Sequence, residues 1–180
     1  MVVDLGVINK FSIQTDLMNQ TIYVLDSTVF AEKQASKFVD NACVTVLEVS
    51  DELKSLEAKI EFDRLSHGIE ILEPDKNFID AVEKIAKSTN DKVSKTDIKV
   101  IALALHFKSK NKPTVLVSDD YGVQNVAKAL KIEILPLSQK GIKRQFEWKR
   151  KCSACNADIL GQTEECQICG AKAKFVPKRK

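Results

Sequence analysis

The amino-acid sequence predicts an α/β fold, a parallel sheet layered between helices, with a small separate unit at its C-terminal end. Three observations predict it. Short β-rich runs alternate with segments of helical period from about residue 21 to residue 137. Four of the five cysteines fall close together, between Cys152 and Cys169. The charge also changes sign along the chain: residues 1–137 carry 17 Lys and Arg against 21 Asp and Glu, while residues 138–180 carry 11 against 4.

The elements follow in order. Residues 1–20 show no sustained periodicity and read as a poorly ordered or loosely docked leader. Residues 22–25 (IYVL) form a short β-rich run, followed by a brief helix from about Ser27. A second strand runs from Cys43 to Leu47, and the spacing of Leu53, Leu56 and Ile60 predicts one helix over Val49–Leu65. His67-Gly68 ends that helix, and Ile69–Leu72 is a short strand closed by Pro74. Asn77–Lys87 is amphipathic, whereas Asp97–Lys108 is almost wholly apolar within and should be a buried helix. Pro113 opens the strand Thr114–Val117, Gln124–Leu130 is helical, and Ile132–Leu135 is the last strand before Pro136. Strands and helices in this rhythm give right-handed crossovers, so the strand C-terminal ends share one edge of the sheet. In open α/β sheets ligands bind outside that edge. A basic linker spans 138–151, the cysteine unit 152–175 and a basic tail 176–180.

Composition narrows the function. With 44% hydrophobic and 29% charged residues, the 180-residue chain reads as a globular domain plus an appendage. Its longest apolar run, Val100 to Phe107, is too short to cross a bilayer. The first thirty residues hold no secretory-type apolar stretch, so the expected location is the cytoplasm. The basic C-terminal segment suggests a polyanionic partner such as nucleic acid.

Cys152-x2-Cys155 and Cys166-x2-Cys169 have the spacing of a structural zinc site, in which two short knuckles bring four thiolates to one ion. Asn156 and Gly170 follow the two pairs, where a tight knuckle tolerates positive φ. Cys43, in an apolar run, reads as an inert buried thiol.

Several acids stand where a predicted strand gives way to a helix: Asp26 after the first strand, Glu48 after the second, and Asp119 and Asp120 after the fourth. Asp97 opens the buried helix. Singly, each has a plain structural reading as a helix cap or turn residue. Together on one edge they would repel one another, and a hard cation such as Mg²⁺ or Mn²⁺ would relieve the repulsion. Such an ion assists phosphodiester hydrolysis without a Ser/His/Asp triad. Neither His67 nor His106 lies at a predicted strand end, and no Gly-rich phosphate loop is present.

These motifs resemble a known family. Asp26 in YVLDST, Glu48 in VTVLEV, Asp97 in TDIKVIALAL and Asp120 in VSDDYGVQNVA are similar to the acidic set of PIN-domain nucleases. SDDYGVQNVAKAL followed by four cysteines resembles the NOB ribosome-assembly endonucleases of archaea and eukaryotes, with the compact spacing of the archaeal form. The resemblance implies a PIN-like three-layer domain with a zinc ribbon. It implies a Mg²⁺- or Mn²⁺-dependent endoribonuclease that cleaves single-stranded precursor small-subunit ribosomal RNA near its mature 3′ end, within the pre-ribosomal particle and alongside assembly-factor proteins. It selects Asp120 over Asp119 and assigns Thr28 and Ser118 a supporting role.

Lys143, Arg144, Trp148, Lys149, Arg150 and Lys151 form a basic segment with aromatic interleaving, suited to phosphates and unpaired bases. Its plain alternative is a solvated linker whose rings dock on the larger domain. At the level of function the alternatives are a catalytically inactive RNA-binding assembly factor and a toxin-like PIN ribonuclease.

Overall fold

The structure is a computed structural model that describes residues 20–138, 148–161 and 163–177. The leader reading therefore lies almost wholly outside the described residues, as do Lys143 and Arg144 of the basic segment.

Five strands make one parallel sheet: β1 (Ile22–Leu25), β2 (Ala42–Thr45), β3 (Ile69–Ile71), β4 (Thr114–Val117) and β5 (Glu133–Leu135), in the order β3-β2-β1-β4-β5. Six helices join them: α1 (Ser27–Ala31), α2 (Glu48–Glu52), α3 (Leu56–Leu65), α4 (Lys76–Thr89), α5 (Lys95–Ser109) and α6 (Tyr121–Ala129). Helix α1 contacts α2 and α3, while α4, α5 and α6 contact one another. Two helix groups are what right-handed crossovers produce when the chain winds outward to β3 and then returns to the other side of β1.

That reversal makes the β1–β4 junction the switch point of the sheet. Leu25 pairs with Val117 in register, so the residues that follow, Asp26 and Ser118, lie side by side. All four β4 residues are buried, and the core between the layers includes Val24, Leu25, Val29, Phe30, Ile101, Leu103 and Leu116. Phe30 packs edge-on to Phe62 at 5.0 Å between centroids. The expected buried helix is α5, with Val100 through Ala104 out of solvent.

The single helix expected over 49–65 is instead two. Leu53 is extended (φ −69°, ψ 113°), and the Ser55 hydroxyl caps α3 by accepting the Ala58 N–H at 3.1 Å. Leu56 and Ile60, counted toward an apolar face, are exposed, and Ala58 and Phe62 face the core. Of the linker expected over 138–151, residues 139–147 lie outside the described residues and the last four are strand. Residues 148–151 belong to β6 (Trp148–Cys152), which pairs antiparallel with β7 (Ala173–Pro177). No helix among the described residues is long and apolar enough to cross a membrane.

Candidate functional site

Asp26 sits at the switch point with no exposed surface. Its Oδ1 accepts the Ser27 N–H at 2.7 Å, capping α1. Its Oδ2 accepts hydroxyls from Thr28 at 3.0 Å and Ser118 at 2.6 Å. The same two hydroxyls accept backbone N–H groups from the facing turn, Thr28 from Asp119 at 3.2 Å and Ser118 from Asp120 at 3.1 Å. One buried carboxylate thus holds the turn that carries Asp120. The supporting role expected of Thr28 and Ser118 has this concrete form.

Asp120 caps α6, its Oδ1 accepting the N–H groups of Gly122 at 2.7 Å and Val123 at 3.0 Å. Gly122 leaves room there: a Cβ would come 3.1 Å from both Asp120 Oδ1 and the Lys92 carbonyl, so those neighbours would have to give by a few tenths of an ångström. Asp97 forms a capping box with Ser94 at the start of α5. Burial pushes the Asp26 carboxyl above its ordinary value, against the lowering effect of its three hydrogen bonds, and the charge of Asp120 adds to the rise. Asp97 is raised too, first by burial and then by the charges of Asp26 and Asp120. The charge of Asp120 therefore reaches both Asp26, after β1, and Asp97, in α5, and disfavours the ionised form of each.

Glu48, at the start of α2, differs. Its carboxylate pairs with Lys99, which also reaches Glu73 at 2.6 Å, and the Lys99 hydrogen bond holds the Glu48 carboxyl below its ordinary value. Nothing in the sequence marked Lys99 as its partner, because the two lie 51 positions apart. Asp119 is a structural clamp, accepting the N–H groups of Leu137 at 2.8 Å and Ser138 at 3.1 Å beyond β5. Gln124 and Asn125 are buried and structural. Gln124 donates to the Ser118 carbonyl at 2.9 Å and Asn125 to Asp91 Oδ2 at 2.7 Å. Cys43 donates to the Phe38 carbonyl at 2.9 Å, and burial pushes its thiol up to about 11, as an inert core residue requires.

The four C-terminal cysteines are free thiols with sulfurs converging to within 4.8 Å. Separations of 3.3 Å (Cys152–Cys169), 3.7 Å (Cys155–Cys166) and 3.7 Å (Cys155–Cys169) approach the ~3.8 Å edge of a tetrahedron with ~2.3 Å Zn–S bonds. The amides of Cys155 and Ala154 point at Cys152 Sγ and lower that thiol to about 6. Asn156 (φ 59°) and Gly170 (φ 73°) take the left-handed backbone expected of the knuckles. The set fits zinc. Among the described residues it alone brings three or more Cys, His or carboxylate ligand atoms so close together.

The basic strand is partly committed. Lys149 and Lys151 lie 3.8 and 3.6 Å from Asp158, and the Arg150 guanidinium donates to the Gly161 carbonyl at 2.7 Å. Trp148 docks on the larger domain: its indole donates to Asp91 Oδ1 at 3.1 Å, and its carbonyl accepts from Asn90 Nδ2 at 2.9 Å.

A family profile described as "PIN domain of ribonuclease" matches residues 23–107. Endoribonuclease Nob1 of Methanocaldococcus jannaschii is 33% identical over 163 residues, covering 88% of this chain and 80% of that protein. Endoribonuclease Nob1 of Archaeoglobus fulgidus is 34% identical over 154 residues, covering 84% and 89%. Ribonuclease VapC1 of Thermoplasma acidophilum is 30% identical over 155 residues, covering 85% and 77%. A PIN-type sheet with an acidic switch point, a four-cysteine unit and these relatives agree: the chain is an endoribonuclease of the PIN-domain family to which the Nob1 proteins belong.

Proposed function

We propose that this endoribonuclease cuts single-stranded precursor small-subunit ribosomal RNA near its mature 3′ end, in the cytoplasm, within a pre-ribosomal particle that holds other assembly factors. The observation that carries the catalytic part is that Asp26 and Asp97 lie near enough to Asp120 for its charge to disfavour their ionisation. Carboxylates so placed suit Mg²⁺ or Mn²⁺, which prefer hard oxygen donors, although no three of their oxygens lie as close together as the four sulfurs. A divalent ion held there supplies a more acidic water and neutralises charge on the phosphate. Asp97 and Asp120 offer the more accessible oxygens, and buried Asp26 fixes the turn that aims Asp120. Glu48 joins the set when Lys99 turns toward Glu73 alone. Four thiolates fill the zinc coordination sphere, so zinc at Cys152, Cys155, Cys166 and Cys169 is structural. Lys143, Arg144, Lys149, Arg150 and Lys151 supply affinity through phosphates rather than sequence choice.

A second reading has its own observation in support. Asp26, Asp97 and Asp120 each already cap a helix, which an inactive RNA-binding assembly factor would retain for stability alone. Labelled precursor RNA spanning the mature 3′ end, incubated with and without Mn²⁺, separates the two. Metal-dependent cutting at one site, lost in Asp120→Asn with RNA affinity retained, supports the nuclease. RNA binding with no cutting in Mn²⁺ or Mg²⁺ supports the second reading.

A further inference from the structure

A cavity of about 660 Å³ lies where the ribbon meets the larger domain, and its wall includes Asp120. The other walls bring together three rings from separate parts of the chain: Tyr121 at the start of α6, Trp148 in β6 and Phe175 in β7. Asp91 braces this wall, taking the Trp148 indole on one oxygen and the Asn125 amide on the other. Lys92 and Arg150 stand over the Phe175 ring, with the ammonium 5.7 Å and the guanidinium carbon 5.3 Å from its centroid. Tyr121 is 58% exposed and Phe175 40%, so both rings are accessible from solvent. Planar rings, the Lys92 cation in the wall and a volume within the ~300–1,000 Å³ range of small-ligand pockets are the chemistry of a site for a stacked base and its phosphate.

We infer that this cavity is a nucleobase subsite: one unpaired base of the RNA strand, beside Asp120, stacks among Tyr121, Trp148 and Phe175. The inference rests on the RNA-cutting reading for its position along the strand, since Asp120 belongs both to the acidic set and to the cavity wall. It goes further in giving the ribbon a part in substrate placement. The subsite is complete only when β6 and β7 are docked against Asn90 and Asp91, so zinc-supported folding of the ribbon also completes the path of the RNA.

Trp148 is the chain's single tryptophan, so its emission reports on the cavity directly. The test uses the full zinc-loaded chain carrying Asp26→Asn, titrated with a short single-stranded oligoribonucleotide. Saturable quenching of Trp148 is expected. Tyr121→Ala and Phe175→Ala in the same background should weaken binding roughly ten- to hundredfold, the loss of about one stacked base. Walking a single abasic residue along the oligonucleotide should reproduce that loss at one position. The same abasic residue should cost little more once Tyr121 is truncated. Both substitutions are at exposed rings, and zinc content and circular dichroism verify that each variant is folded. Equal binding by the parent and both folded variants, or the same loss from an abasic residue at every position, would overturn the subsite. Cleavage by the wild-type chain in Mn²⁺ is scored separately. Position-specific quenching without any cutting would defeat the nuclease reading and leave the subsite standing.

Discussion

The larger domain and the ribbon solve the problem of stability in opposite ways. The sheet domain buries a continuous apolar core between its layers, from Ile22 to Ile132. The ribbon's core is only Cys152, Ile159 and Cys166 with three partly buried alanines around them, while Leu160 and Ile168 stand in solvent. So small a cluster cannot offset the entropy of ordering the chain, and a metal ion at the four cysteines, which fit zinc, would supply the difference. In the larger domain the relation is reversed. Hydrophobic burial is ample, and burial disfavours the ionised forms of Asp26 and Asp97. On the proposed reading a metal would be a structural requirement for one region and would offset carboxylate repulsion in the other.

The largest expected effect tests the ribbon. Cys166→Ser should abolish stoichiometric zinc and unfold the ribbon, because structural zinc contributes ~10–16 kcal/mol in comparable small sites. Amide spectra should then lose dispersion for 148–177 while the signals of the sheet domain persist. Preserved ribbon dispersion without zinc would break the contrast between the two regions. Next, Phe30→Ala should destabilise the sheet domain by ~3–5 kcal/mol in urea denaturation and leave zinc affinity unchanged.

A smaller effect comes from the acids and has a definite sign. Asp26 and Asp97 have raised pKa values in the folded protein. The metal-free folded state therefore binds more protons there than the unfolded chain does. The contribution of Asp26 and Asp97 to stability is fully present below the ordinary carboxylate range and is lost as pH rises through the raised values. Asp26→Asn keeps one oxygen to cap α1 and removes the charge, while its Nδ2 donates where Oδ2 accepted the Thr28 and Ser118 hydroxyls. It should raise the Tm in EDTA at pH 7 by about 2–4 °C, or ~1 kcal/mol, and flatten that pH dependence. Glu48 acts in the other direction: Lys99 lowers its pKa, so its contribution is present above the ordinary value and lost as pH falls. A lower Tm for Asp26→Asn would show that capping outweighs repulsion. Smaller still, Trp148→Phe removes the indole hydrogen bond to Asp91. It should cost ~1 kcal/mol of docking, seen as faster independent tumbling of the ribbon in relaxation measurements.

Much of this architecture was legible in the sequence because its signals are local. The β-rich run at Ile22–Leu25, the apolar interior of α5 and the two Cys-x2-Cys pairs each declare themselves within a few residues. So do the left-handed backbones of Asn156 and Gly170. What stayed hidden depends on partners distant in the chain. Lys99 reaches Glu48 across 51 positions, and the Trp148 indole reaches Asp91 across 57. The break between α2 and α3 was missed for a different reason. Leu53, Leu56 and Ile60 keep helical spacing, yet Ser55 caps a new helix and turns the apolar face elsewhere. The strand at 148–151 was obscured by its charge, since basic residues alternate along a surface hairpin as readily as in a linker.

The central claim is that Asp26, Asp97 and Asp120 form one cation site. Calorimetric titration of Mn²⁺ into the zinc-loaded chain, beside Asp97→Asn prepared in the same way, tests it most directly. Saturable binding by the parent that is lost or weakened at least tenfold in the variant is the expected result. Indistinguishable Mn²⁺ isotherms for the two proteins would contradict the claim and leave these carboxylates as helix caps.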